Sequence, residues 1–148
     1  MAPGGPLRLG GVDVPHNMHL DGHSDADVLL HAVTDALLGA AALPDIGVMF
    51  PNTDPQNRNR DSADMLAIAA RKVTECNFRI INLDCVVHAE RPRLADYYDA
   101  MRHRIAGILG ASPHQIGLKA KTGEGIGPVG REEVVIARCV ALLGEITI

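Results

Sequence analysis

From Phe78 to Ala89 (FRIINLDCVVHA) apolar side chains fall on alternate positions for most of the stretch, the period of a half-buried strand. Ile116 to Thr122 alternates in the same way, and the mostly apolar run Glu133 to Leu143 (EVVIARCVALL) predicts a last strand. Pro6 to Pro15 (PLRLGGVDVP) alternates on both sides of Gly10-Gly11, which suits a strand that turns or bulges there. Helical spacing governs three other stretches. The first runs from Ser24, a good N-cap, to about Ala41, with Asp25 and Asp27 in its first turn, where the helix dipole favours carboxylates. The second is capped by Asp61 or Ser62 and reaches about Cys76, with Met65, Ile68, Ala69 and Val73 on one face. The third, Leu94 to Leu109, follows Glu90-Arg91-Pro92, which ends the strand. Pro44 to Pro55 reads as a long polar loop, functional or merely connecting, and TGEGIGPVGRE as a glycine-rich link between the last two strands. The expectation is an α+β fold: one domain over residues 1–148, with a mixed four-stranded sheet covered on one face by helices.

Composition narrows the class. The 148 residues suffice for one core, and with no Trp, two Phe and two Tyr that core must be built from Ala, Val, Leu and Ile. A net charge of −4 without a Lys/Arg cluster argues against nucleic acid as a partner. Val28 to Val48, the longest weakly polar run, is broken by His31, Asp35 and Asp45 and is no membrane span. The N-terminal MAPGGPLRLGG has the pattern of neither a secretory signal nor a transit peptide. Cys76, Cys85 and Cys139 have no CxxC spacing and read as buried or inert thiols of a reducing compartment. Together these features predict a cytoplasmic protein.

Against that background GHSDADVLLHA, Gly22 to Ala32, is out of place, because it sets two histidines and two aspartates into the start of an amphipathic helix. Asp27, His31 and Asp35 are spaced i, i+4, i+8 and form one polar stripe, on which a carboxylate could hold the second nitrogen of a metal-bound imidazole. A surface His satisfied by its helix neighbours is the plainer alternative. His23 and Ser24 at the helix start would add an anion site to backbone N–H groups. Thr122-Gly123-Glu124-Gly125 leaves a strand into a loop that lets backbone approach a ligand. There Thr122 could bond a phosphate and Glu124 hold a hard cation, though such turns are often only turns. His88 to Leu94 could offer backbone groups and a cation to a base or phosphate, or be simply a strand-to-helix loop.

Five stretches taken in order, GHSDADVLLHAVTDALLGAAALPDIG, MFPNTDP, DSADML, AERPRL and KAKTGEGIGPVGREE, make the chain resemble the 2-C-methyl-D-erythritol 2,4-cyclodiphosphate synthases of non-mevalonate isoprenoid synthesis. The resemblance implies a homotrimer with active sites between subunits and a channel on the threefold axis. It implies an intramolecular phosphoryl transfer in which a 2-phosphate attacks the β-phosphate of a cytidine-diphosphate-linked substrate and CMP leaves. It maps zinc binding onto His31, and phosphate alignment and transition-state charge stabilisation onto His23 and Thr122. Ser24 would bind phosphate, and Glu124 a second cation, Mg²⁺ or Mn²⁺, carried with the diphosphate. Asp45, Ile46 and Gly47, with Phe50, Pro51, Asn52, Thr53 and Asp54, would contact ribose and erythritol. Ala89, Glu90, Arg91, Pro92, Arg93, Leu94 and Ala95 would form the cytosine pocket. Lys121, Gly123 and Pro128 would join the substrate surface, and Arg131 would lie at the phosphate end of the channel.

The departures define the expectations further. In the family an Asp and a His of a first strand, GxDxH, complete the zinc site; that strand would lie upstream of Pro3, and His16 and His19 stand in the wrong context to replace it. The sequence is therefore expected to be a truncated form of the enzyme with a sheet edge or face uncovered. Asn52, Lys121 and Pro128 read as family variation. Two other functions stay open: a metal-less trimeric scaffold that keeps a nucleotide or isoprenoid diphosphate, and a metal-dependent phosphohydrolase of unrelated fold.

Overall fold

The computed structural model describes residues 1–147. Two short ribbons come first: β1 (Ala2–Pro3) pairs antiparallel with β4 (Met18–His19), and β2 (Leu7–Leu9) with β3 (Val12–Val14). The β2–β3 turn is Gly10-Gly11, at φ +62° and +71°, the left-handed pair a two-residue hairpin turn requires. A side chain at Gly10 would meet Met101 at 2.9 Å. Leu7, Leu9 and Val14 are fully buried, so the hairpin is a wall of the core and not a surface flap.

The remaining elements are α1 (Val28–Ala40), α2 (Ile46–Met49), α3 (Ser62–Glu75), β5 (Phe78–His88), α4 (Tyr98–Leu109), β6 (Ile116–Lys121), α5 (Gly127–Gly130) and β7 (Ile136–Glu145). The main sheet has the order β6-β5-β7. β5 pairs in parallel with β6, Leu83 opposite Ile116 and His88 opposite Lys121, and α4 supplies the crossover that a parallel pair needs. It pairs antiparallel with β7 from Phe78–Glu145 to His88–Ile136, with an irregularity at Ile81.

The expected four-stranded sheet is thus three-stranded. Pro6 to Pro15 does not join it, because the two glycines fold that segment onto itself and its strands satisfy each other's backbone groups. The helices do lie on one face. Leu83, Cys85 and Val87 of β5 point into a core shared with Leu29, Leu30, Val33 and Leu37 of α1, Leu66 and Val73 of α3, and Met101 and Ile105 of α4. On the other face Val140 stays 74% and Leu142 54% exposed, an apolar strip beside the Asp84–Lys119 ion pair. No described helix is long and apolar enough to cross a membrane.

Two expected loops contain helical turns. Asp45 caps α2 by accepting from Val48 N, and Asp54 caps a short turn at Pro55–Asn57. The glycine-rich link includes α5. Cys85 and Cys139 face each other across β5 and β7 with Sγ atoms 3.6 Å apart. The contact with Cys85 and then burial push the Cys139 thiol up, away from the reactive thiolate. Cys76, by contrast, is exposed at the end of α3.

Candidate active site

The stretch GHSDADVLLHA folds differently from the simple helix start its composition suggests. α1 begins at Val28, not near Ser24, and its N-cap is Asp27. Asp27 is fully buried and accepts from Leu30 N at 3.0 Å, Gly10 N at 2.9 Å and Gly11 N at 2.7 Å. One carboxylate therefore caps the helix and latches the glycine turn of the hairpin. Burial pushes its pKa above the usual carboxylate range, against the pull of those three N–H groups. Two expectations fall with this. The helix N-terminus is occupied by Asp27, so His23 and Ser24 lie on the turn before it and not among free helical N–H groups. The Asp27 carboxylate also makes no bond to the His31 ring: its oxygens accept from backbone, and only the main-chain O of Asp27 accepts from His31 N, at 3.0 Å.

His31 has other partners. Its Nε2 lies 2.7 Å from Ser62 Oγ and 3.2 Å from Ser24 Oγ. Ser62 is fully buried at the start of α3, and its Oγ and N both bond to Asp25. The backbone zips the same two segments together: Asn59 N donates to His23 O at 2.9 Å and Asp25 N to Arg60 O at 3.3 Å. From the sequence Asp25 and Ser62 read only as helix-start residues, not as members of the site. They are 37 residues apart, and the one local signal was DSADML, where Ser62 reads as a cap alternative to Asp61. Asp35 stays exposed and accepts from Ile46 N at 2.8 Å, fixing the entry to α2.

A cavity of about 430 Å³ opens over these residues. Among the expected site residues it is lined by His23, Ser24, His31, Ile46, Gly47, Phe50 and Asn52. Asn57, Met65 and Val135 are further lining that the sequence did not mark. His23 Nε2 is buried with no hydrogen-bond partner.

A second cavity, about 350 Å³, is lined by Ala89, Glu90, Pro92, Arg93, Leu94 and Ala95 together with Lys121 and Thr122. Tyr98, also in its lining, accepts Ala120 N at 2.7 Å, and Ala89 N donates to Lys121 O at 2.9 Å, so the strand end and the turn are tied. Glu90 grips the glycine loop, accepting Gly123 N at 2.8 Å and Gly125 N at 3.1 Å. Its carboxylate is committed to backbone, and only its main chain is left for a ligand. Glu124 stands exposed at φ +51°, its N donating to Thr122 Oγ1.

The remaining expected residues lie outside both linings. Arg91 and Glu132 pair at 3.5 Å, and Arg131 pairs with Glu133 at 2.8 Å. Asp45 and Asp54 act as caps, and Pro128 sits in α5. Pro51 O accepts from Asn57 Nδ2, while Thr53 is exposed. His23 and Thr122, expected to handle the same phosphates, thus open onto different cavities of one chain.

Among the described residues no three His, Cys, Asp or Glu side chains come together to hold a metal ion. His31 Nε2 is engaged by serine hydroxyls, so a metal could be met only by its Nδ1. These residues do not fit a three-ligand zinc site. Glu124, an exposed carboxylate with hard oxygen donors, does suit a divalent cation carried by a diphosphate.

Residues 1–144 match the YgbB family model. A Rhodopirellula baltica protein named 2-C-methyl-D-erythritol 2,4-cyclodiphosphate synthase is 52% identical over 145 residues, covering 98% of this chain and 87% of that protein. The bifunctional IspDF of Campylobacter jejuni superposes with a TM-score of 0.93 at 41% identity, covering 97% of this chain and 39% of that one. A CDP complex of IspF from Plasmodium falciparum superposes with a TM-score of 0.85 at 30% identity, covering 96% and 85%. The chain belongs to the YgbB family. A phosphohydrolase of unrelated fold is thereby set aside.

Proposed function

We propose that this YgbB-family chain, acting as one domain over residues 1–148, is a 2-C-methyl-D-erythritol 2,4-cyclodiphosphate synthase. Its substrate is 4-diphosphocytidyl-2-C-methyl-D-erythritol 2-phosphate. An oxygen of the 2-phosphate forms a bond to the β-phosphorus, the bond from that phosphorus to the bridging oxygen of the α-phosphate breaks, and CMP departs with the electron pair. The observation that carries the reading is the 52% identity, over nearly the whole chain, to a relative that bears this name.

Phosphoryl transfer asks the protein mainly to position groups and neutralise charge. His23 and Ser24 offer an imidazole and a hydroxyl in a partly enclosed cavity, where such contacts are stronger than in water. Thr122 and Lys121 offer a second hydroxyl and a cation beside the pocket assigned to cytosine, and the CDP-bound relative supports a cytidine nucleotide as the ligand. Glu124 would hold Mg²⁺ or Mn²⁺, which supplies charge neutralisation when bound.

A homotrimer follows from the same reading. The division of the site residues over two cavities is what a site assembled between subunits leaves on each chain, and the apolar strip at Val140 and Leu142 is the kind of face that neighbours cover. Location in the cytoplasm is consistent with this chemistry.

The direct test is phosphorus NMR of the purified chain with substrate and Mg²⁺, expecting one cyclic diphosphate per CMP released. CMP with an acyclic product would refute the cyclase. The misfit to zinc favours a second reading, a scaffold that retains nucleotide, and CDP binding without any product would select it. Zinc content measured on the same sample separates the metals. Glu90→Ala should weaken CDP binding about tenfold by calorimetry, the equivalent of about 1.4 kcal/mol, because the glycine loop loses both of its anchors. Unchanged affinity would show that the loop holds its shape without Glu90.

A further inference from the structure

The Asp25–Ser62–His31 chain carries information that neither the family match nor the expected metal role contains. Asp25's carboxylate takes three donors: Ser62 N at 3.0 Å, Asp27 N at 3.2 Å and the Ser62 hydroxyl. A carboxylate in this position only accepts, and Ser62 has a single hydroxyl proton. That proton is spent on Asp25, so Ser62 Oγ faces His31 Nε2 as an acceptor, and Nε2 must carry a hydrogen. We propose that Asp25 and Ser62 are positioning residues that hold His31 as its Nε2–H tautomer, leaving Nδ1 as the one ring nitrogen with a free lone pair.

Three further observations support the assignment. Ser62 is fully buried, so water does not compete for its hydroxyl. Asp25 and Ser62 are fixed by backbone independently of the relay, through the Asp25 N–Arg60 O bond and through Asp61, which caps α3 at Ala63 N. Ser24 Oγ lies farther off at 3.2 Å and accepts Ala26 N at 3.3 Å; with the Ser62 proton spent on Asp25, the Nε2 hydrogen leaves Ser24 to face it as a second acceptor. Among the described hydrogen bonds none involves His31 Nδ1, while the ring lines the cavity of about 430 Å³. Whatever His31 contacts there, it contacts through a nitrogen chosen by two residues of another segment.

The test is a long-range ¹H–¹⁵N correlation spectrum of the chain labelled at histidine, which reads each ring's tautomer without reference to turnover. His31 should show the Nε2–H pattern in the unmodified chain. Ser62→Ala should average the two tautomers, Ser62→Thr should keep the original, and Asp25→Ala, which removes the acceptor of the Ser62 hydroxyl, should reverse it, because that hydroxyl then donates to Nε2. The other histidine signals report whether each variant is folded. Should Ser62→Ala fail to fold, the Ser62→Thr and Asp25→Ala pair decides the matter. An Nδ1–H pattern in the unmodified chain, or the same tautomer in every folded variant, overturns the proposal. The proposal depends on this geometry and not on the cyclase reading: a failed turnover assay leaves the tautomer result intact, and a wrong tautomer leaves the cyclase standing.

Discussion

Replacing His23 with alanine is expected to cut turnover by about 10²- to 10³-fold, the usual cost of removing one preorganised donor from a phosphoryl or acyl transfer site. The melting temperature should stay level or rise slightly. His23 Nε2 is buried without a partner, so the fold bears the cost of desolvating it and gains no hydrogen bond in return. Steady-state kinetics by CMP release, beside a thermal melt, check both halves. A lowered melting temperature with unchanged turnover would place His23 in the scaffold.

Asp27→Ala should do the reverse and cost about 4 kcal/mol of folding stability, at the high end for a single substitution. Its loss leaves the N–H groups of Gly10, Gly11 and Leu30 unpaired in or near the core, and it uncouples the hairpin from α1. Asn is no remedy, because its amide NH₂ would face one of those donors. The control is Asp35→Ala, which removes one exposed bond to Ile46 N and should cost less than about 1 kcal/mol. Denaturant midpoints of the two variants give the comparison, and equal midpoints would refute the latch. The pH dependence has a definite sign. The folded chain holds the Asp27 proton at higher pH than the unfolded chain does, so this one group stabilises the fold increasingly as pH falls through that interval, and the effect is lost as pH rises through the folded value.

These two residues also show what could be read from the sequence. The ends of β5 and α3 were legible, because alternation in FRIINLDCVVHA and the Asp61 cap are local signals. The five motif stretches gave the family, since a match in order over the whole chain does not depend on any single contact. The start of α1 was not legible. Ser24, Asp25 and Asp27 can all cap a helix, and the choice falls to Asp27 because two glycine amides from the hairpin need a buried acceptor. The fourth strand was miscounted for a related reason, as alternation shows that a segment is extended but not which strand it pairs with. The partners of His31 escaped because the helical spacing pointed to Asp27, while the real contact, Ser62, comes from a helix that starts 31 residues later.

The pairing of β5 with β7 sets the order in which the molecule can be completed during synthesis. β5 lies in the middle of the sheet, yet its antiparallel partner occupies residues 136–145, and α1 packs against that same late strand. A chain interrupted anywhere before residue 136 therefore leaves one hydrogen-bonding edge of β5 open and part of the apolar face of α1 uncovered. Contacts this distant in sequence close late and slowly, so the nascent protein spends its translation in a state that chaperones recognise.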